Sequence, residues 1–230
     1  MSISVIIPAG GKGLRLGGNI PKQYRKVLGK DIIVYTLEIF EANDSVNDII
    51  IACEADYFYK LNSIIKKYKF RKNYKLVEGG NERQDSVFNA ISSLNCNKND
   101  LVIVHDAARP LLSNSILTSA IKSAKKFGNA VVAIKSKDTL IEVSDEKTAF
   151  LNRNNIYQIQ TPQIFKYEII KDAYLEAYKS GFYGTDDSML VMRLGHKINY
   201  VEGSIRNFKI TTSEDLILFK ELINAASSLS

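Results

Sequence analysis

The chain has 230 residues, of which 45% are hydrophobic, so it is long enough to bury a full core. Its longest apolar runs, such as residues 5–8 and 101–104, are too short to cross a bilayer, and residues 1–10 lack the long apolar stretch of a secretory signal, so we expect a cytoplasmic protein with no membrane segment. Lysine and arginine number 31 against 25 aspartates and glutamates, and this net charge of +6 favours anionic partners without saying which kind.

Short apolar segments alternate with longer amphipathic ones along the chain. Buried strands are predicted at residues 3–7, 48–52, 75–77, 101–104 and 130–134. Helices are predicted between them at residues 32–41, 56–69, 85–94 and 114–127, and further on at 166–179, 186–194 and 214–225, with short strands at 197–201 and 208–210. Repeated strand–helix–strand units favour an α/β fold with a doubly wound, mainly parallel sheet and helices on both faces.

One segment, residues 136–158, breaks this alternation. Leu140, Glu142 and Val143 alternate around a polar turn at residues 144–147, which predicts a β-hairpin rather than a crossover helix. The hairpin is interpreted as a projecting arm that embraces a second subunit, with a surface flap as the alternative.

The most basic stretch, KKYKFRKNYK at residues 66–75, interleaves aromatic and cationic side chains and raises the possibility of nucleic-acid binding. However, Leu61, Ile64, Ile65 and Tyr68 recur at helical spacing, which leaves the lysines on a solvated face. We favour the solvated helix face and predict no nucleic-acid partner.

A glycine-rich segment, PAGGKGLRLGGNIPKQY at residues 8–24, follows the first predicted strand. At the carboxyl edge of a parallel sheet, glycine lets phosphate oxygens approach backbone amides closely. Leu16 stands where a dinucleotide fingerprint that includes Gly11 and Gly13 needs glycine, and no Walker sequence is present. The segment is therefore predicted to bind phosphates in another way.

Six segments resemble, in order, the signatures of the 2-C-methyl-D-erythritol 4-phosphate cytidylyltransferase family. They are the glycine-rich segment, GGNERQDSV (79–87), VHDAARP (104–110), QTPQIF (160–165), TDDSM (185–189) and VEGSIRNFKITTSEDL (201–216). The resemblance implies one nucleotidyltransferase-like domain over residues 1–230, with residues 136–158 as a dimerisation arm, and a homodimer. It also implies transfer of a cytidylyl group from CTP to 2-C-methyl-D-erythritol 4-phosphate, with Mg²⁺ and release of pyrophosphate, in non-mevalonate isoprenoid synthesis.

Ribitol-5-phosphate cytidylyltransferase resembles this family in fold, glycine loop and arm, and is the alternative. GGNERQDSV and DAARP favour methylerythritol phosphate as the acceptor. A remote alternative is a non-catalytic, basic nucleic-acid-binding α/β module.

The residue types suit the implied reaction, in which a phosphate oxygen attacks the α-phosphorus of CTP. The barrier is mainly electrostatic and positional, and a phosphate monoester needs no strong general base. We therefore interpret the two histidines, His105 and His196, as structural.

By resemblance, the catalytic cations are Arg15, Lys22 and Lys209. The same resemblance implies that Asp106 contacts the nucleotide, the acceptor and Mg²⁺. The nucleotide would also contact Pro8, Ala9, Gly10, Gly11, Gly13, Gly79, Gly80 and Ser86. The alternatives are a solvated turn for Lys22, a water-facing strand lysine for Lys209, a structural aspartate for Asp106 and a helix cap for Ser86.

Acceptor recognition is assigned, by the same resemblance, to Asp106, Arg109, Thr139, Arg153, Thr161, Thr185 and Lys209, because guanidinium groups and hydroxyls suit a phosphate dianion. Thr139 and Arg153, both on the arm, are expected to reach into the partner's site. Thr185 could instead cap the helix that follows it, and Thr212 or Ser213 is expected to cap the last helix.

Overall fold

The computed structural model describes residues 1–11, 20–144 and 148–227. Its strands are β1 (Ile3–Pro8), β2 (Lys26–Val27), β3 (Lys30–Asp31), β4 (Asp48–Cys53), β5 (Asn73–Glu78), β6 (Leu101–Val104), β7 (Asn129–Lys135), β8 (Ile141–Val143), β9 (Thr148–Phe150), β10 (Tyr157–Lys166) and β11 (Tyr200–Glu202). Its α-helices are α1 (Ile32–Glu41), α2 (Phe58–Lys67), α3 (Arg83–Ser92), α4 (Asn114–Phe127), α5 (Tyr167–Lys179), α6 (Asp187–Arg193) and α7 (Ser213–Ser227).

One sheet of seven strands runs through the molecule in the order β5, β4, β1, β6, β10, β7, β11. Strand β1 is parallel to β4 and β6, β4 is parallel to β5, and β11 is parallel to β7. Strand β10 runs antiparallel to both of its neighbours, β6 and β7. The predicted mainly parallel sheet is confirmed.

Helices cover both faces of the sheet because the central strand is apolar at successive positions. Ile7 of β1 belongs to the same core cluster as Leu37 of α1, whereas the preceding residue, Ile6, belongs to a second cluster with Val87 of α3 and Tyr174 of α5. Successive strand side chains point to opposite faces, so a strand buried on both faces needs apolar residues throughout. The predicted helices on both faces are therefore confirmed. Within the described residues, no helix has the length and apolar character needed to pass through a membrane.

The prediction of a strand at residues 208–210 is wrong, because this segment has no regular secondary structure. A single backbone hydrogen bond, from Ile210 N to Ala108 O at 2.9 Å, joins it to the segment after β6. Phe208 and Ile210 instead pack beside Phe219 of α7 in a third core cluster. Their alternation therefore reflects packing against a helix and not strand pairing.

Strand β10 was not predicted as a strand. It contains Pro162 and several glutamines, and its register against β7 shifts between Ile159 and Gln163. Proline removes a donor from the ladder, so it weakens the sequence signal of a strand. The strand predicted at 197–201 corresponds to β11, which begins at Tyr200.

The predicted hairpin is present as β8 and β9, which pair antiparallel from Ile141 opposite Phe150 to Val143 opposite Thr148. Part of its turn, residues 145–147, lies outside the described residues. Val143 is 71% exposed and Phe150 is 77% exposed, so the hairpin presents apolar side chains to its surroundings.

The basic stretch after α2 uses its aromatic residues for packing. The rings of Tyr68, Phe70 and Tyr74 follow one another at centroid distances of 6.0 and 5.6 Å, and all three pack against the core. Lys72 donates to the backbone carbonyls of Asn43 and Val46. These contacts support the solvated helix face over a nucleic-acid surface.

Candidate active site

A cleft of about 980 Å³ lies at the edge of the sheet where the parallel strands β1, β4, β5 and β6 end. Its wall includes Pro8 at the end of β1, Glu54 after β4, Gly79 after β5 and Asp106 after β6. Ligands bind in open α/β sheets at this edge, where the loops after the strands converge. The sheet therefore brings four separate chain segments to one site.

Most of the predicted nucleotide residues line this cleft. They are Pro8, Ala9, Gly10, Gly11, Lys22, Gly79, Gly80, Ser86, Asp106 and Lys209. Two further predicted residues, Gly13 and Arg15, lie outside the described residues.

The hydroxyl group of Ser86 packs closely against two glycines, Gly79 and Gly80, in the turn after β5. This oxygen accepts a hydrogen bond from Gly80 N at 3.1 Å and donates to Glu82 O at 3.2 Å. A Cβ at Gly80 would lie 2.1 Å from Cβ of Asp85, and a Cβ at Gly79 would lie 3.1 Å from the Ser86 hydroxyl oxygen. The turn after β5 therefore packs tightly against the first turn of α3 and has no room for a side chain at Gly80.

Ser86 is not a helix cap. Helix α3 begins with Glu82 as its N-cap, and the side chains of Glu82 and Asp85 form a reciprocal capping box. Ser86 is buried inside the helix and lines the cleft. The capping alternative for Ser86 is therefore excluded.

Three cations surround the carboxylate of Asp106. Its Oδ1 lies 3.1 Å from Nε of Arg83, and its Oδ2 lies 3.3 Å from Nε of Arg109 and 3.0 Å from Nζ of Lys209. Burial alone would raise the pKa of this carboxyl group, but Lys209, Arg83 and Arg109 outweigh burial and hold the pKa well below its usual range. Asp106 is therefore ionised.

A smaller cavity of about 170 Å³ adjoins the cleft and shares Arg83, Asp106 and Lys209 with it. Its wall also contains Arg109, Thr161 and Thr185, three of the residues predicted for the acceptor. The structure thus brings five predicted acceptor residues together around a cavity next to the larger cleft.

Hydrogen bonds hold Thr161 beside Asp106. Its hydroxyl oxygen accepts from Asp106 N at 3.1 Å and lies 3.1 Å from Nδ1 of His105. The second predicted threonine of this cavity, Thr185, is not a helix cap, because the N-cap of α6 is Asp186, whose carboxylate accepts from Met189 N. At the last helix, Thr212 forms the predicted cap by accepting from Asp215 N at 3.3 Å.

Thr139 and Arg153 line neither cavity within the described chain. Both are exposed on the arm segment, and Nη1 of Arg153 donates to Lys137 O at 3.4 Å. Their predicted role in a partner's site stays a prediction.

The two residues that follow Lys22, Gln23 and Tyr24, hold this segment in place. The side-chain amide of Gln23 is buried and donates to the carbonyls of Ala9 and Gly11, at 2.5 and 3.2 Å. The ring of Tyr24 stacks on Tyr57 at 4.1 Å. Nothing in the sequence indicated a role for Gln23, yet this residue ties the end of β1 to the segment containing Lys22.

His105 is fully buried, and its Nε2 lies 3.0 Å from Arg109 O. Burial lowers its pKa to about 4, so the imidazole is neutral near pH 7. The contacts agree with the structural role predicted for His105. His196 is exposed and lines neither cavity.

Sequence reasoning also missed Arg83 and Asp187. Nη1 and Nη2 of Arg83 lie 3.1 and 2.8 Å from the two oxygens of Asp187, which is completely buried. Both residues lie in motif segments, GGNERQDSV and TDDSM, and their opposite charges were the available signal. They are 104 positions apart, so nothing local indicated that they pair.

Comparison with known proteins identifies the family. The family model for 2-C-methyl-D-erythritol 4-phosphate cytidylyltransferase matches residues 3–224. A relative of that name from Clostridioides difficile is 43% identical over 224 residues, which cover 96% of this chain and 93% of the relative.

Solved structures agree with this result. "4-diphosphocytidyl-2C-methyl-D-erythritolsynthase" from Anaerococcus prevotii is 32% identical, with a TM-score of 0.86 and coverage of 97% of this chain and 96% of that one. The 2-C-methyl-D-erythritol 4-phosphate cytidylyltransferase of Francisella tularensis is 31% identical, with a TM-score of 0.81 and coverage of 95% and 98%. The chain therefore belongs to the 2-C-methyl-D-erythritol 4-phosphate cytidylyltransferase family.

Proposed function

We propose that this protein transfers a cytidylyl group from CTP to 2-C-methyl-D-erythritol 4-phosphate, giving 4-diphosphocytidyl-2-C-methyl-D-erythritol and pyrophosphate in non-mevalonate isoprenoid synthesis. The observation that carries the proposal is that the two adjoining cavities share Arg83, Asp106 and Lys209. The larger cavity suits a nucleotide, and the smaller one suits a short alcohol phosphate. Family membership supports the same assignment.

The shared residues suit a reaction between two anions. The ammonium group of Lys209 lies where the two cavities meet, so it would lower the repulsion between the acceptor phosphate and the α-phosphate of CTP. Lys22 lines the nucleotide cleft and would bind the triphosphate together with Arg15. The acceptor phosphate is already a nucleophile, which is consistent with the neutral, buried His105 taking no part.

Arg109 and Thr161 would bind the acceptor in the smaller cavity. The guanidinium group of Arg109 contacts both Asp106 and the backbone carbonyl of Asn207, so its orientation is fixed before a ligand binds. A preorganised donor loses little conformational entropy on binding. Thr185, which also lines this cavity, is exposed and could supply a hydroxyl donor.

We also propose that Mg²⁺ takes part, arriving on the triphosphate. Both oxygens of Asp106 contact cations, and within residues 1–11, 20–144 and 148–227 no group of three or more His, Cys, Asp or Glu side chains could hold a metal, so the role predicted for Asp106 as a Mg²⁺ ligand stays a prediction. Mg²⁺ usually keeps several waters and phosphate oxygens as ligands. When bound, the ion would neutralise triphosphate charge.

We also propose that the arm contacts a second copy of the chain in a homodimer. Val143 and Phe150 on the β8–β9 hairpin are largely exposed apolar residues, and such exposed apolar surface favours contact with another protein. Arg153 follows this hairpin and lies outside both cavities of its own chain. A second copy of the chain would cover the apolar side chains and could receive Arg153 in its site. The cytoplasmic location stays a prediction from the sequence.

Pyrophosphate release tests the proposed function. Purified protein would be given CTP and Mg²⁺ with either 2-C-methyl-D-erythritol 4-phosphate or ribitol 5-phosphate, and the nucleotide product identified by mass. We expect rapid release with the methylerythritol acceptor and little with ribitol phosphate. Preference for ribitol phosphate would establish the alternative acceptor, and no release with either would contradict cytidylyl transfer.

A further inference from the structure

The guanidinium group of Arg83 lies between two carboxylates that belong to different parts of the chain. Its Nε is 3.1 Å from Oδ1 of Asp106, which follows β6. Its two terminal nitrogens bind the two oxygens of Asp187, the first residue of α6, at 3.1 and 2.8 Å. One planar group thus fixes the position of Asp106 relative to α6.

The carboxylate of Asp187 is held from a second side. The hydroxyl of Tyr174 on α5 donates to its Oδ1. Asp187 is fully buried, and the side chain of Arg83 is only 27% exposed. A buried carboxylate needs its partners, so these contacts define one position for the start of α6.

Arg83 also connects the two cavities. It is the first residue of α3, whose first turn carries Ser86 beside the nucleotide-side glycines. Asp187 begins α6, immediately after Thr185 and Asp186 in the wall of the smaller cavity. Arg83 itself lines both cavities.

A neighbouring contact joins the same two segments. The side chain of Gln84 donates to Phe182 O at 3.0 Å and accepts from Gly184 N at 2.8 Å. Two adjacent side chains, those of Arg83 and Gln84, therefore join the first turn of α3 to residues 182–187. Of these two side chains, only Arg83 reaches Asp106.

We infer that Arg83 is a positioning residue: it holds Asp106 and the start of α6 in place, and so sets the acceptor cavity relative to the bound nucleotide. This inference rests on the proposed function. A guanidinium group suits the role because it can bind one carboxylate with two nitrogens and a second carboxylate with the third. A lysine keeps the charge but cannot make this arrangement.

Kinetics of three variants test the inference. Arg83→Lys keeps the charge, and the double variant Arg83→Gln with Asp187→Asn replaces the ion pair by neutral amides, so that no buried charge is left alone. Tyr178→Phe is the matched control, because it removes a hydrogen bond to Asp85 in the same turn of α3 and touches neither Asp106 nor Asp187.

We expect kcat/KM for 2-C-methyl-D-erythritol 4-phosphate to fall about 100-fold in Arg83→Lys and in the double variant, because displacing the reacting groups by about 1 Å has an effect of this size. The dissociation constant for CTP, measured by calorimetry without acceptor, should change less than about 3-fold, since most of the nucleotide cleft is untouched. Tyr178→Phe should leave both constants near the wild-type values.

Unchanged acceptor kinetics in the two Arg83 variants would overturn the inference. A loss of CTP affinity that matches the loss of acceptor kinetics, with a lowered melting temperature, would also overturn it, because the role would then be structural only. Wild-type protein is assayed first with CTP and the acceptor. Failure of the proposed function appears in that assay, whereas failure of the inference appears only in the variants.

Discussion

Lys209 and Asp106 form an ion pair where the two cavities meet, with Nζ of the lysine 3.0 Å from Oδ2 of the aspartate. The side chain of Lys209 is 37% exposed and that of Asp106 only 9%, so the ammonium group keeps one side open to a ligand while the carboxylate orients it. The sequence left open whether this lysine faces the site or the surrounding water. The pairing shows that it faces the site.

Removing this ammonium group should slow the reaction without unfolding the protein. We expect Lys209→Ala to lower kcat about 100- to 1,000-fold, the range found when one preorganised donor to a developing charge is lost. Lys220→Ala, which removes an exposed lysine from α7, is the control and should have wild-type kcat. Near-normal turnover in Lys209→Ala would remove this residue from the chemistry.

Two glycines of the nucleotide cleft should respond differently to alanine. At Gly80 a Cβ would collide with Asp85 in the free protein, whereas at Gly11 a Cβ would meet no atom of the described residues within 4 Å. We expect Gly80→Ala to lower both the melting temperature and the affinity for CTP. Gly11→Ala should keep the melting temperature and lose only CTP affinity, because the ligand would occupy that space. Calorimetry and thermal unfolding distinguish the two, and a destabilised Gly11→Ala protein would contradict this explanation.

A mixture of two inactive proteins tests the role of the arm. If Arg153 reaches the partner's site, a mixed dimer of Arg153→Ala and Lys209→Ala subunits contains one intact site, built from Lys209 of one subunit and Arg153 of the other. Equal mixing with free exchange should restore about a quarter of the wild-type activity, since half of the dimers would be mixed and each would have one of two sites working.

Sedimentation provides the control for the mixing experiment. The wild-type protein should sediment as a dimer at assay concentration, and so should each variant alone. Activity of the mixture that stays at the sum of the separate variants would place Arg153 outside the partner's site. A fully active monomer would contradict the dimerisation arm itself.

The buried imidazole of His105 should make stability depend on pH. Its pKa is about 4 in the folded protein and near 6.5 when unfolded, so the unfolded chain binds more protons between these values. The free energy of unfolding should therefore be unaffected by this group above pH 6.5 and fall by about 3 kcal/mol on acidification toward pH 4. Urea titrations of wild type and His105→Asn at several pH values measure the difference, and an identical slope for both proteins would contradict it.

The sequence was sufficient for features that depend on local patterns. Strand β1 and helix α4 appear close to the predicted positions, because β1 is a short continuous apolar run and the apolar residues of α4 recur at helical spacing. Ser86 and Lys209 follow from the family motifs that contain them, and both line the larger cleft.

Features that depend on distant partners were not predicted. The pairing of Arg83 with Asp187 joins two segments that only the folded sheet brings together. Strand β10 gave no clear signal because its neighbours in the sheet, not its own composition, make it a strand. The apolar alternation of Phe208 and Ile210 suggested pairing, but the actual partner is α7.

The place of β10 between β6 and β7 determines the order in which the sheet can form during synthesis. Strands β5, β4, β1 and β6 are contiguous in the sheet and are complete once residue 104 has left the ribosome. Strand β7 has β10 and β11 as its sheet neighbours, so it cannot join the first four strands until Lys166 has emerged. Because chains emerge from the N-terminus, the nucleotide half of the sheet can form while the arm and the acceptor half are still being translated.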